Sequence, residues 1–209
     1  MLFDGQSLVS MLDDLASSAP TPGGGGASAV GGALAAALGE MVANLTTGKK
    51  RYADVQDRID EIIDELGALR TRLLELVAAD AAAFEPLSRA YGLPRESEEE
   101  RALRDEIMEA ALRAASVPPY KIMETLVEVI DRLEELARIG TRIAVSDAGV
   151  GAAFAGAALK GASLNVFINA KSMKDRAYAD ELCARTQELL DAGCKKADDT
   201  FQMVMEAIR

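Results

Sequence analysis

Apolar residues recur every three to four positions along most of this chain, and no stretch shows the strict alternation of a strand. In residues 5–16 (GQSLVSMLDDLA), Leu8, Met11, Leu12 and Leu15 fall at helical spacing, which predicts a short amphipathic helix. The segment SSAPTPGGGG breaks the pattern, since two prolines and four consecutive glycines do not continue a helix. Residues 27–46 form an Ala/Leu/Gly-rich run with one acid, Glu40, expected to be a thin helix hidden from water on most sides. From 52 to about 90, Val55, Ile59, Ile62, Ile63, Leu66, Leu69, Leu73, Val77 and Phe84 follow a 3.6-residue period, the mark of a long amphipathic helix. LPRES ends it, and Ser97 with Glu100 makes a capping-box pattern that opens another helix through EEERALRDEIMEAALRAA. Pro118 and Pro119 are expected to punctuate the chain before a further helix over 120–138, which Gly140 stops. Residues 146–168 return to the Ala/Gly-rich character, and a last charged helix from 174 to the end covers the two thin ones.

These elements predict an all-α, up-and-down helical bundle in one domain, residues 1–209, with two Ala/Gly-rich helices at its centre. The thin helices and their small-residue faces also suggest that two chains pack together. A membrane span over 27–46 is the weaker reading, because Ala and Gly contribute little transfer energy and Glu40 sits inside the run.

Composition narrows the chemistry. The 209 residues contain no His, so any proton transfer falls to a carboxylate, Lys, Tyr or Cys, and the commonest zinc ligand is missing. No paired Cys spacing occurs, and no metal site is expected. With 23 basic against 34 acidic residues the net charge of -11 opposes a general affinity for nucleic acid or for an anionic membrane surface. Cys183 and Cys194 lie about 16 Å apart along one helical pattern and are read as reduced thiols. The chain opens without a charged-then-apolar leader, and a cytoplasmic setting is expected.

Five places carry candidate chemistry. Asp80 occupies the apolar stripe of the long helix, on one face with Leu73, Val77 and Phe84. Burial there raises a carboxyl pKa toward the range useful for acid/base work; the alternative is a buried Asp paired with a Lys or capping a neighbouring helix. The PTPGGGG loop, with Gly23, Gly24 and Gly25, leads into a helix start whose free N–H groups suit a small anion, or it is a plain interhelical loop. GKKRY concentrates Lys49, Lys50 and Arg51 in an otherwise acidic chain, either to complement a helix C-terminus or to hold an anion, with Asn44 one turn before it. In SDAGV, Ser146 or Asp147 stands where a helix N-cap is expected. Asn165 and Asn169 stand four apart on one face of a mostly apolar helix end, placed to bond backbone or ligand.

Taken in order, APTPGGGGASA, MVANLTTGKKRYADV, ADAAAF, LPRESEEE, SVPPYKIME, SDAGVGAAF and NVFINAKSMKD resemble the cyclodeaminase domain of formiminotransferase-cyclodeaminase and its free-standing bacterial relatives, among them methenyltetrahydrofolate cyclohydrolases. The resemblance runs from about residue 8 to 195 and includes no formiminotransferase portion. It implies an all-helical, homodimeric enzyme acting on a tetrahydrofolate derivative, polyglutamylated forms included, with no cofactor beyond that substrate. The first activity it implies is closure of 5-formiminotetrahydrofolate to the 5,10-methenyl compound with release of ammonia. The alternatives are hydrolysis of the methenyl ring to 10-formyltetrahydrofolate and a non-catalytic folate-binding or scaffold role. By this resemblance Asp80 is the catalytic residue, Gly23, Gly24, Gly25, Lys49, Lys50 and Arg51 position the pterin or the glutamate tail, and Asn44, Asp147, Asn165 and Asn169 are further polar contacts. Gly26 stands where some members carry Ser, and residues 141–145 depart from the Asn-containing turn often seen before SDAGV.

Overall fold

The computed structural model describes residues 7–209, and among these every regular element is helical. In chain order they are α1 (Leu8–Ala16), α2 (Gly24–Thr46), α3 (Gln56–Tyr91), α4 (Glu98–Ile139), α5 (Val145–Ser172) and α6 (Arg176–Ile208), with short 3-10 turns at Lys50–Val55 and Arg142–Ala144. Residues 5 and 6 of the first predicted helix lie outside the described residues.

Helices consecutive in the chain from α2 onward run antiparallel, and so do α2 and α5. Gly39 packs on Leu66 and Gly32 on Leu73, so α2 and α3 oppose. Gly31 meets Ala158 while Gly151 meets the Ala35 carbonyl, so α2 and α5 oppose as well. Removing side chains is what lets α2 and α5 approach: a Cβ on Gly151 would lie 2.8 Å from a Leu133 methyl and 3.2 Å from the Ala35 oxygen. The large core residues come from the helices outside this pair, notably Ile59, Ile62, Leu66 and Leu73 of α3 and Ile122, Met123, Leu126, Ile130 and Leu133 of α4. α3 covers α2, and α6 covers α5.

Three expectations need correction. Gly24, Gly25 and Gly26 do not stand outside the second helix; they are its first turn, with Gly23 as N-cap. Pro118 and Pro119 do not end a helix, because α4 runs unbroken through them for 42 residues. Each proline removes an N–H from the ladder, but Ala114 is exposed to water, and the Ala115 carbonyl receives a hydrogen bond from Asn169 Nδ2 at 3.1 Å instead. The central pair is also less hidden than its composition implies. Leu34, Met41 and Leu45 of α2 and Val150, Phe154, Leu164 and Ile168 of α5 are all exposed in the single chain. The capping box at Ser97 and Glu100 forms as predicted, with both reciprocal bonds present.

By length and hydropathy α2 and residues 142–172 would each be long enough to cross a membrane, yet each buries one side against the other helices of the bundle.

Candidate active site

At one end of the bundle the start of α2 meets the middle of α3 and the last turns of α5. The N-cap of α2, Gly23, has no side chain to accept from the free N–H groups of the first turn. That role passes to another helix: the carboxylate of Asp80, on α3, accepts from the Gly26 N–H. Leu73 and Val77 below it on the same face are buried, so the stripe that predicted burial for Asp80 does point into the protein. The capping alternative is thus what the structure shows directly, and the same carboxylate also faces a cleft.

Burial raises the Asp80 pKa above the ordinary carboxylate value, and the Gly26 N–H opposes part of that rise. No glycine of the first turn is more closely engaged than Gly25. A Cβ there would sit 2.5 Å from both carboxylate oxygens of Asp80, so the absence of a side chain is what lets the acid lie against the helix start.

The cleft encloses about 250 Å³. One wall is the loop and first turn, Pro20, Thr21, Gly23, Gly24 and Gly25; α3 supplies Asp80 and Phe84, α4 supplies Ala115, and α5 supplies Asn165, Ile168 and Asn169. Asp80 is the one ionisable side chain in this lining. Asn165 donates through Nδ2 to the Gly161 carbonyl at 2.9 Å, as Asn169 does to Ala115. The Phe84 ring, the N–H groups at the start of α2, two amides and one carboxyl of raised pKa thus surround a space suited to a small polar ligand.

Five predicted site residues lie elsewhere in the chain. α2 has 23 residues and so separates its two ends by about 33 Å. At its far end Asn44 is exposed and bonds through Nδ2 to the Glu40 carbonyl, while Lys49 donates to Thr141 Oγ1. Lys50 and Arg51 are exposed, with Arg51 near the Tyr52 ring. Asp147 is not the N-cap of α5, a position taken by Ala144; it stands in the first turn, where its charge complements the helix dipole. None of the five lines the Asp80 cleft. The far end is instead a cationic surface, since Lys49, Lys50, Arg51 and Arg142 join no salt bridge among the described residues. Tyr52 ties this surface together: its hydroxyl accepts from the Arg142 N–H, which with Thr141 lowers its pKa.

Sequence reasoning missed Pro20, Thr21, Phe84, Ala115 and Ile168 as cleft walls. Phe84 and Ile168 read simply as apolar stripe positions. Ala115 carried one signal, lying four residues before Pro119, where a helix carbonyl loses its donor.

A half-buried carboxyl that caps the start of a neighbouring helix, inside a helical bundle, lines a cleft suited to a small polar ligand. The Formiminotransferase-cyclodeaminase family profile matches residues 7–188. The chain is 43% identical over 185 residues to a methenyltetrahydrofolate cyclohydrolase of Methylorubrum extorquens, covering 88% of this chain and 89% of that protein. It is 33% identical over 184 residues to the formimidoyltransferase-cyclodeaminase of Rattus norvegicus, and spans about a third of the length of that relative, 34%. Among solved structures it resembles the formiminotetrahydrofolate cyclodeaminase of Thermotoga maritima, with a TM-score of 0.81, 31% identity and coverage of 97% and 96% of the two chains. The chain belongs to the formiminotransferase-cyclodeaminase family of enzymes.

Proposed function

We propose that this enzyme hydrolyses 5,10-methenyltetrahydrofolate to 10-formyltetrahydrofolate at the Asp80 cleft. The observation that carries this reading is the 43% identity, over nearly the full length of both chains, to a methenyltetrahydrofolate cyclohydrolase. The coarser statement, a one-carbon folate enzyme of the cyclohydrolase or cyclodeaminase kind, has the support of every relative named above. Cyclodeaminase activity, the first expectation from sequence, is the second reading, favoured by the likeness to the Thermotoga maritima structure.

The site chemistry suits the hydrolysis. The methenyl carbon is cationic, and an ionised Asp80 offers both an opposite charge and a base of raised pKa. Asp80 takes a proton from water as its oxygen bonds to that carbon. It then returns the proton to N5 as the carbon–N5 bond breaks, the hydroxyl proton of the intermediate passing to solvent. Gly23, Gly24 and Gly25 let the ligand approach the helix N–H groups, and Asn165 and Asn169 bond its ring. Water and the folate are the only reactants required, so no further cofactor enters.

The enzyme works as a homodimer in a cytoplasmic setting. The exposed Leu34, Met41, Leu45, Val150, Phe154, Leu164 and Ile168 form an apolar surface on α2 and α5 that a second copy would cover. Because α2 joins the cleft to the cationic end, a two-fold pairing of antiparallel α2 helices sets the cationic end of one chain beside the cleft of the other. Lys49, Lys50 and Arg51 then hold the glutamate tail across the interface. Phe154→Glu is expected to give monomers by sedimentation velocity and to lower turnover; a dimeric variant of full activity would count against this pairing. Lys49→Glu with Lys50→Glu is expected to raise KM for a polyglutamylated substrate roughly tenfold at low salt, with the effect shrinking as salt screens it. An unchanged KM at low salt would remove the patch from the site.

The deciding experiment supplies purified protein with 5,10-methenyltetrahydrofolate and, separately, with 5-formiminotetrahydrofolate, following methenyl absorbance, 10-formyl product and ammonia. Fast loss of the methenyl compound with slow ammonia release supports the hydrolase. Ammonia release coupled to methenyl formation, without hydrolysis, transfers the assignment to the deaminase, and neither activity in folded protein leaves a binding role.

A further inference from the structure

The geometry points to Pro119 as a positioning residue of the cleft, acting through Asn169 to present an amide oxygen to the N–H edge of the bound ring. In an unbroken α-helix the N–H of residue 119 would bond the carbonyl of residue 115. Proline has no such hydrogen, and α4 continues through it, so the Ala115 carbonyl is left open on the side that faces the cleft. Asn169 Nδ2 fills that vacancy from α5 at 3.1 Å. Only the NH2 of the amide can donate to a carbonyl, so this bond fixes which way the amide faces. Its Oδ1 accepts no hydrogen bond from any described residue and remains for a ligand.

Asn165, one turn earlier, is oriented in the same sense by the Gly161 carbonyl, with its Oδ1 equally unclaimed. The α5 wall therefore offers two acceptors and the α2 wall offers backbone donors. A ring that matches it carries N–H or NH2 groups on the edge turned to α5 and an acceptor toward α2. The inference rests on the folate reading for its substrate but not for the hydrogen bond itself. The α4 proline would thus serve recognition by denying the helix one of its own bonds.

Pro119→Ala restores an N–H that competes with Asn169 for the Ala115 carbonyl. With 5,10-methenyltetrahydrofolate as substrate, KM is expected to rise roughly 3- to 10-fold, the scale of one net hydrogen bond, while kcat falls by less than about twofold. In an Asn169→Ala background the same proline change should add nothing to KM, because the residue it acts through is gone. The side-chain amide protons of Asn169, assigned by their loss from the NMR spectrum of Asn169→Ala, should exchange faster in Pro119→Ala than in the parent. Pro119→Val supplies the same N–H with more bulk if the alanine variant folds poorly. Unchanged KM, additive effects in the double variant, or unchanged amide exchange would each overturn the link. Should the parent turn over neither folate, the proposed function fails, and the exchange comparison still decides whether Pro119 positions Asn169.

Discussion

Asp80→Asn is expected to lower kcat by about 10²- to 10⁴-fold, the range that general acid/base assistance supplies, without loss of the fold. The substitution keeps what the helix needs: an amide oxygen still accepts from the Gly26 N–H, so α2 retains its borrowed cap. It removes only the capacity to take and return a proton. No other ionisable side chain lines the cleft to replace it. A folded Asp80→Asn protein of full activity would exclude Asp80 as the base.

The pH dependence follows from the direction of its pKa. Burial raises Asp80 above the ordinary carboxylate range, so as a base it is lost when pH falls through that elevated value. The acid limb of kcat/KM should consequently lie higher than an exposed Asp would place it, and it should vanish from the residual activity of Asp80→Asn. The sign for stability is the reverse of a salt-bridged carboxylate. A folded pKa above the unfolded one favours folding at low pH and costs stability as pH rises through the folded value. At neutral pH the neutral amide should therefore leave Tm unchanged or slightly raised, which separates a catalytic loss from an unfolding one.

Much of the bundle was legible because period and burial agree. Ile59, Ile62, Leu66, Leu69 and Leu73 recur at helical spacing and all are buried. The same stripe, continued, exposed Asp80 as the misfit that proved to face a cleft. The errors came where tertiary partners replace local signals. Nothing near Pro118 and Pro119 in sequence shows that an amide 50 residues later will satisfy the Ala115 carbonyl, so the prolines read as a break. Four glycines likewise read as loop, because the acid that caps their helix comes from α3.

Distance along a helix decided the rest. Lys49, Lys50, Arg51 and Asn44 follow the glycine loop closely in sequence, but a straight helix of 23 residues carries them to the other end of the bundle. Asn165 and Asn169 lie far from Asp80 in sequence and beside it in space, because α5 runs antiparallel to α2. The apolar surface of α2 and α5 was half legible: Ala/Gly-rich helices suggested close packing, whereas one side of the pair, with Leu34, Met41, Phe154 and Leu164, is exposed in the single chain.

Gly25→Ala should be nearly as damaging to turnover as loss of Asp80, although it touches no reacting atom. The added methyl would lie 2.5 Å from both Asp80 oxygens, closer than any real contact allows, and the acid is the end of a movable side chain. The carboxylate therefore yields, giving up the Gly26 N–H and its place at the helix start, while the backbone stays. Displacement of a reacting group by about 1 Å costs on the order of 10²-fold, and kcat/KM should fall by at least that much. Stability should hold, because alanine favours a helix over glycine by about 1 kcal/mol and offsets the lost hydrogen bond. Gly24→Ala is the informative comparison. Its methyl would meet Asn165 Nδ2 at 3.4 Å, an ordinary contact, and leaves Asp80 untouched. The two alanines add the same group to neighbouring positions of one helical turn, so helix propensity and bulk cancel between them. A much larger fall in kcat/KM for Gly25→Ala at matched Tm would place the catalytic sensitivity on the Asp80 carboxylate; equal falls would assign it to crowding of the cleft mouth.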